Sequence, residues 1–452
     1  MKTSPHPLSL GLKVGYGAYD FGNTFFILVT SFWFFIYLTD VMHLEPGLAG
    51  IAIGLVRVVE ILATPFLGYF ANHVQTRWGR RRPFLLFGAL PAGIAFTALF
   101  WGPHLTSQAA IFMWEFTAFL VVSLLFTAMT IPYSALTVDL TPDPHQRTVL
   151  NAWRIGWATV GTLLAGAAIQ PLQLLFPTAL EGYRATGILF GAIIIISTLM
   201  TFFTVRESAS PVDGTSREGL FFSHKMALTS KSLVSLLISW LLTMTAVTLL
   251  SAAVPYLFKH VLHRENMTSP ALGICIVASI LSIPLWVLIS KRIGKKTSYL
   301  LGMLWFGTFS TLTSLLAPGR EMSMVFVGMA AVGFGYAAVA TLPWAILPDV
   351  IDEHYNATGR RHEGIAYGLW LVATKSGMLI AAGILGAVLS LTDYQPELLQ
   401  HAALKEKTAI GIMALMGPIP FLMLIVSCII MSKRNNHSAH AATGHGRIVT
   451  KQ

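Results

Sequence analysis

The sequence predicts an all-α membrane protein with twelve transmembrane helices in two pseudo-symmetric six-helix bundles. Three observations predict it. Charge is scarce: of 452 residues only 11% are Asp, Glu, Lys or Arg, and 54% are hydrophobic, where a soluble domain carries about 25% charged residues. Twelve stretches are long and apolar enough to span a bilayer. Two short motifs recur in the second half at nearly the same spacing. So little charge cannot cover a water-exposed surface, which excludes a soluble enzyme and a disordered chain. The net charge of +10 does not indicate nucleic-acid binding, because basic residues this sparse cannot tile such a face.

A spanning helix needs about 20 mostly apolar residues. In chain order the candidates are 15–40, 47–72, 83–102, 109–138, 149–175, 185–205, 231–256, 269–290, 298–317, 323–345, 363–392 and 407–432. Runs such as 188–196 and 421–426 are continuously apolar, so the alternation of a β-barrel is absent. The basic segment before the first span lacks a cleavage site followed by a polar chain, and that span is read as retained. The longest polar interruption divides the chain into a bundle over 1–206, a central cytoplasmic loop over 207–230, a bundle over 231–432 and a polar tail over 433–452. The tail, with His437, His440 and His445, reads as disordered rather than metal-binding.

An even number of spans puts both termini on one side. With the N-terminus inside, 21 of the 30 basic residues fall in inner segments and 6 in outer ones, the other three being Arg57, Arg154 and Lys375 within spans. This asymmetry places both ends in the cytoplasm, and the protein is expected in the cell inner membrane as a monomer.

The two halves echo each other. Gly79-Arg-Arg with Leu85-Leu86 recurs as Gly294-Lys-Lys with Leu300-Leu301, and Ile131-Pro-Tyr leading to Asp139 recurs as Leu342-Pro-Trp leading to Asp349. Two matches at nearly one offset argue for parallel halves related by an axis along the membrane normal, the architecture of a rocking secondary transporter. No phosphate-binding G-x-x-x-x-G-K-[ST] loop is present, and no cofactor is implied. Cys275 and Cys428 lie in apolar runs and read as buried free thiols.

A charge at membrane depth costs roughly 2.5–3.5 kcal/mol on insertion scales, so each needs a partner or a role. Asp20, Arg57, Glu60, Glu115, Arg154 and Lys375 lie within spans and sum to zero, as a shared polar cavity would require. Arg57, Glu60 and Thr64 share one helix face. They are either a structural ion pair or a cation or proton site, and a sodium ion would need more hard oxygens than Glu60 and Thr64 supply. Asp20 and Asn23 share a face of the first span. Arg154 lies between Trp153 and Trp157, and Lys375 follows Tyr367 by eight residues. Carboxylate, amide and cationic groups beside indole rings suit a sugar, with hydrogen bonds to hydroxyls and stacking on its C–H face. The bland alternative for the tryptophans is lipid-facing packing. Glu115 lies toward the outer end of its span and is expected to reach water.

Tyr16-Gly-x-x-Asp20-Phe-Gly-Asn23, Tyr37-x-Thr39-Asp40-Val41, Thr76-Arg-Trp-Gly-Arg-Arg-Arg-Pro83, Ile131-Pro132-Tyr133, the stretch from Asp143 to Arg147, Arg154, the Asp349–Asp352 region and Ile365-Ala-Tyr367 to Lys375 together resemble the glycoside–pentoside–hexuronide:cation symporter family, the melibiose-carrier group of the major facilitator superfamily. The resemblance implies sugar transport coupled to H⁺, Na⁺ or Li⁺. It gives Arg154 a role in sugar binding, places Lys375 near the cation site, and matches Arg57 and Glu60 to the second helix's Arg and first carboxylate. The second carboxylate is Thr64 here, which favours protons over sodium. The sugar-binding Asp of the family's first helix is Thr24, and the Asp and Trp of its fourth helix are Thr130 and Ser134, which argues against a galactoside.

The expectation is therefore a carrier working by alternating access. Asp20, Asn23, Arg154, Trp157, Lys375 and Tyr367 bind a sugar, glycoside or sugar acid, Glu60, Thr64 and Arg57 couple it to a proton, and Arg77, Arg80, Arg81, Asp139, Asp143 and Arg147 form the cytoplasmic gate. The alternatives are a lipid-like substrate, uncoupled exchange and, more remotely, a channel or membrane enzyme.

Overall fold

A computed structural model describes residues 8–74, 76–103, 105–141, 143–206, 230–358, 363–394 and 402–433. The central loop and the tail lie outside the described residues, apart from Ser230 and Lys433. Eleven described helices are long and apolar enough to cross a membrane, or twelve when the bent pair Leu10–Phe32 and Phe34–Val41 counts as one span.

The spans are α1 (Leu10–Phe32, continued by Phe34–Ile36 and Tyr37–Val41), α2 (Pro46–His73), α3 (Arg82–Leu99), α4 (Gln108–Leu140), α5 (Pro144–Leu174), α6 (Ala179–Thr204), α7 (Lys231–Tyr256), α8 (Thr268–Ile293), α9 (Lys295–Leu316), α10 (Met322–Thr358), α11 (Glu363–Leu391) and α12 (Ala402–Met416 and Pro418–Ser432). The face from which α1 rises and at which α12 ends is called the terminal face below.

Hydroxyl caps set several starts. Ser9, Ser107, Thr178 and Ser230 each accept a hydrogen bond from the backbone N–H three residues on, at 3.2–3.3 Å, which satisfies one orphan donor of the first turn. The Thr178 cap starts α6 at Ala179 rather than near 185. Hydropathy missed its first turns because they carry Glu181 and Arg184. Likewise α10 runs past the expected 345 to Thr358, since a helix can continue beyond the apolar zone once its backbone is internally bonded.

The packing repeats between halves. In the first, α1 packs on α5 and α6, α3 on α4 and α6, and α2 on α4. In the second, α7 packs on α11 and α12, α9 on α10 and α12, and α8 on α10. Each pairing maps onto its counterpart by adding six to the helix number. The junctions obey the same rule: α2 packs on α11, and α5 on α8. A two-fold pseudo-symmetry of parallel repeats thus covers both the bundles and the contact between them.

That contact is tightest away from the terminal face. A Cβ built on Gly50 would lie 2.7 Å from the Ala382 carbonyl oxygen, and one on Gly386 would lie 2.6 Å from the Pro46 carbonyl oxygen. Only glycine allows α2 and α11 to approach backbone to backbone here. Among the described residues, the side-chain hydrogen bonds and ion pairs that join the halves lie from mid-height to this opposite face: Lys375 with Glu60 and Thr64, Thr39 with Tyr256, Asp40 with Lys259, His260 and Tyr394, and Gln170 with Glu265 and Ser269.

Candidate functional site

Two charged clusters occupy the middle of the molecule. The first joins α1, α4 and α5. Arg154 donates from Nε to Asp20 Oδ2 at 2.6 Å and from Nη2 to Oδ1 at 3.3 Å, a fork-on-carboxylate pairing that fixes both side chains. Tyr133 donates its hydroxyl to the same Oδ2 at 2.5 Å, and its ring lies 4.5 Å from the guanidinium carbon. Tyr133 reaches Asp20 because α4 crosses α1 through stacked rings: Tyr16–Tyr133 centroids are 5.0 Å apart and Tyr19–Tyr133 centroids 4.3 Å. The Arg154 and Asp20 side chains stay 20% and 14% exposed, so the pair keeps an accessible edge. Asn23, one turn along α1, makes no side-chain hydrogen bond among the described residues. The Tyr19 hydroxyl bonds Thr130 at 2.7 Å.

The second cluster joins α2, α4 and α11. Arg57 Nη1 meets Glu60 Oε2 at 2.6 Å, Thr127 donates to Glu60 Oε1 at 3.1 Å, and Lys375 Nζ lies 3.5 Å from Oε1. Thr64 donates to the Glu60 backbone carbonyl at 2.6 Å, and its hydroxyl oxygen accepts from Lys375 at 3.3 Å. Two cations flank one carboxylate, and only 5% of the Glu60 side chain is exposed. Arg57 also lies over the Phe119 ring at 5.1 Å.

At formal charges the two clusters hold Arg57, Arg154 and Lys375 against Asp20 and Glu60, a net of +1. The expected six-way neutralisation is corrected in one member. Glu115 does not reach water and joins neither cluster: it is fully buried on α4, with the Tyr37 hydroxyl 3.5 Å from Oε1. Its side chain turns into the first bundle, which helical position in the sequence could not reveal.

The remaining expected site residues separate. Lys375, expected with Arg154 at the substrate although the resemblance placed it near the cation site, stands at Glu60. Trp157 packs edge-on against Phe21 at 5.6 Å, its indole N–H buried without a partner among the described residues. With Ala152, Trp153, Gly156 and Val160 it lines an apolar recess of about 500 Å³ along α5. Tyr367 is 40% exposed and stands two turns from Lys375 toward the terminal face. One aromatic group escaped the sequence reading: Trp240 stacks on Trp370 at 4.4 Å, Trp344 lies 5.5 Å from Trp370, and Trp240 donates to Thr374, the neighbour of Lys375, at 2.7 Å. Its signal was the repeat, in which Trp344 takes the place of Tyr133.

Each half carries an ion pair at the terminal face. Arg81 Nε donates to Asp139, with Arg80 3.8 Å away, and Lys295 meets Asp349 at 2.6 Å. The two motifs noticed as repeats are thus the two ends of one contact, made once per half. Arg147 donates to the Thr141 carbonyl at 2.8 Å and its backbone N–H to the Asp143 carbonyl at 3.1 Å. Arg77 is exposed and stacks over Trp78 at 4.2 Å.

The opposite face is closed by a cluster that the sequence reading did not assemble. After a 54° bend, α1 ends in a π-helical turn, Tyr37–Val41, and α7 ends in another, Leu257–Val261. Each is followed by a histidine of positive φ, His43 at 54° and His263 at 53°. The two turns are symmetry mates and meet across the halves. Asp40 Oδ2 accepts from Lys259 at 2.6 Å and lies 2.8 Å from His260 Nε2, while Oδ1 accepts from Tyr394 at 2.6 Å. Thr39 bonds the Tyr256 hydroxyl at 2.6 Å. π-turns mark functional positions in helices, and here they place both halves of a latch.

A family profile described as MFS/sugar transport protein matches residues 15–433. The chain is 27% identical over 390 residues to the glucuronide carrier protein homolog of Escherichia coli, covering 86% of this chain and 85% of that protein. It is 26% identical over 443 residues to an inner membrane symporter of the same organism, covering 96% and 93%. Among solved structures, a bacterial homologue of the human lysosomal transporter Spinster, inward-facing and unoccupied, superposes with a TM-score of 0.67 at 15% identity, covering 93% of this chain and 95% of that one.

Proposed function

Because the chain belongs to the MFS/sugar transport protein family, we propose that it is a proton-coupled inner-membrane symporter for an acidic sugar, working by alternating access. The net charge of +1 across the two central clusters carries this reading. A carboxylate or sulfonate on the sugar offsets the extra positive charge that a proton on Glu60 leaves in these clusters, and a buried charge is costly unless paired. Asp20, Asn23 and Arg154 offer hydrogen bonds from one half, and the half-exposed face of Trp344, on its tryptophan stack, offers a stacking surface from the other. The name of the glucuronide carrier homolog points to the same class of substrate.

Glu60 carries the coupling proton. Among the described residues that cluster offers side-chain oxygens from Glu60, Thr64 and Thr127, with Glu60 Oε2 already taken by Arg57 and two cations present, so a sodium ion would face repulsion and few ligands. The terminal face is cytoplasmic, in line with the 21 basic residues assigned to it. The molecule is then open inward, with the Asp40 latch and the α2–α11 glycine contact closing the outside.

Uptake into proteoliposomes tests this reading. An inward proton gradient is expected to drive accumulation of a hexuronate or another anionic sugar. Accumulation driven only by sodium would overturn the cation assignment, and transport of lysolipid but no sugar would overturn the substrate class.

Outer closure makes its own prediction. A leucine at Gly50 overpacks a backbone contact, at about 1–3 kcal/mol, so Gly50→Leu should lower transport roughly tenfold. Uptake per purified protein measures it. Rates within twofold of the parent, roughly 0.4 kcal/mol on the same scale, would show that α2 and α11 need not touch for turnover.

A further inference from the structure

Glu115 is left unexplained by the two clusters. It is fully buried on α4, and Oε2 has no partner among the described residues. The charged and titratable groups facing it are already engaged. From α1 the Tyr37 hydroxyl lies at 3.5 Å, and Asp40, further along the same turn, is held by Lys259 and His260. From α6, Tyr183 lies 4.9 Å from Tyr37 between ring centroids, and Arg184 donates to the Trp101 and Gly102 carbonyls. From α2, Arg57 is paired with Glu60. Among its described residues α3 carries only Arg82, at the far end, where it donates to the Phe202 carbonyl. A buried carboxylate with no cation is too costly to keep ionised.

Three further features connect it. Glu115, Phe119, Ser123 and Thr127 follow one another at four-residue spacing on one face of α4, and Thr127 donates to Glu60. Along that line Ser123 Oγ, and beside it on α2 Arg57 Nε, are also buried without partners among the described residues. A buried polar atom without a protein partner is where an internal water would bind, and this seam along α4 from Glu115 to Glu60 has three among the described residues, Glu115 Oε2, Ser123 Oγ and Arg57 Nε. In the other direction Tyr37 leads to Tyr183, which lines a recess of about 240 Å³ at the opposite face with Asp40, Gln170, Gln173, Lys259 and Glu265.

We propose that Glu115 is a second proton-binding group, the relay through which protons from the outer recess reach Glu60. A proton from water in the recess binds the Glu115 carboxylate and passes along the hydrated seam to the carboxylate of Glu60, leaving Glu115 to be reloaded. The segment 34–41 gates the step. One side of it carries Tyr37 against Glu115, and the other carries Thr39 and Asp40 into the latch, so opening the outside must move Tyr37 off the carboxyl. The proposal rests on the proton-coupled reading above.

The test is Glu115→Gln, which keeps the size and the acceptor for Tyr37. Infrared difference spectra of the parent in lipid at neutral pH should contain a protonated-carboxyl carbonyl band that Glu115→Gln lacks and Glu60→Gln keeps. In proteoliposomes Glu115→Gln should lose proton-driven accumulation by roughly tenfold, about 1.4 kcal/mol, while substrate exchange, which a folding defect would remove, persists. A band that survives Glu115→Gln overturns the proposal, as does accumulation by this variant equal to the parent's. A parent with no proton-driven accumulation sinks the coupling reading itself and the relay with it, whereas the band still reports the state of Glu115.

Discussion

Glu60→Gln is expected to turn the symporter into an exchanger. Glutamine keeps the shape and the acceptor for Thr127 but removes the negative charge between Arg57 and Lys375. Two cations then face each other across a neutral amide, and at an effective dielectric near 20 a unit-charge contact at 4 Å is worth about 4 kcal/mol. The empty carrier meets this repulsion each time it reorients, and it no longer has a group to load with a proton. Accumulation against a gradient should fall to equilibration, roughly a hundredfold loss for a penalty near 3 kcal/mol. Counterflow exchange reorients only the loaded form, whose anionic substrate partly restores the missing charge, and should survive. Proton-driven uptake and counterflow on the same vesicles separate the two. Accumulation at parent levels would remove Glu60 from the coupling step.

The second large effect is at Asp20 and Arg154. Removing one partner of a buried pair strands the other, at about 3–5 kcal/mol. Asp20→Asn and Arg154→Gln should each lower substrate affinity or transport by a hundredfold or more, about 2.7 kcal/mol. Arg154→Lys should fall between them and the parent, since lysine keeps the charge but loses the fork that holds both Asp20 oxygens. The double variant Asp20→Asn with Arg154→Gln discriminates binding from scaffolding. With no unpaired charge left it should fold normally and still not transport. Recovery of parent transport would show the pair to be structural only.

Much of the scaffold was legible from residue order. Apolar length gave the spans, because a lipid solvent admits few charges and no unsatisfied backbone. The doubled motifs pointed to parallel halves, and the pairing of Arg81 with Asp139 and Lys295 with Asp349 explains why those residues recur together. Helical spacing also grouped Arg57, Glu60 and Thr64 correctly, since neighbours one turn apart on a helix must share a face. Lys375 was a different matter: spacing within α11 linked it to Tyr367, and only the family resemblance placed it near the cation site, where the packing of α2 on α11 brings it to Glu60.

By itself, then, the sequence determined the membrane class, the two-half repeat and which charges lie within the spans, whereas the burial of Glu115 and Asp40 came from the structure. Only the tertiary structure decided which of those charges meet. Asp20 found Arg154 and Tyr133 across three helices, Asp40 met His260 from the symmetry-related turn, and Glu115 was left without a cation among the described residues. The physical reason is range. Insertion energy is a sum over residues and can be read along the chain, whereas an ion pair depends on distances of a few ångströms between helices far apart in sequence, set by packing that no local pattern records.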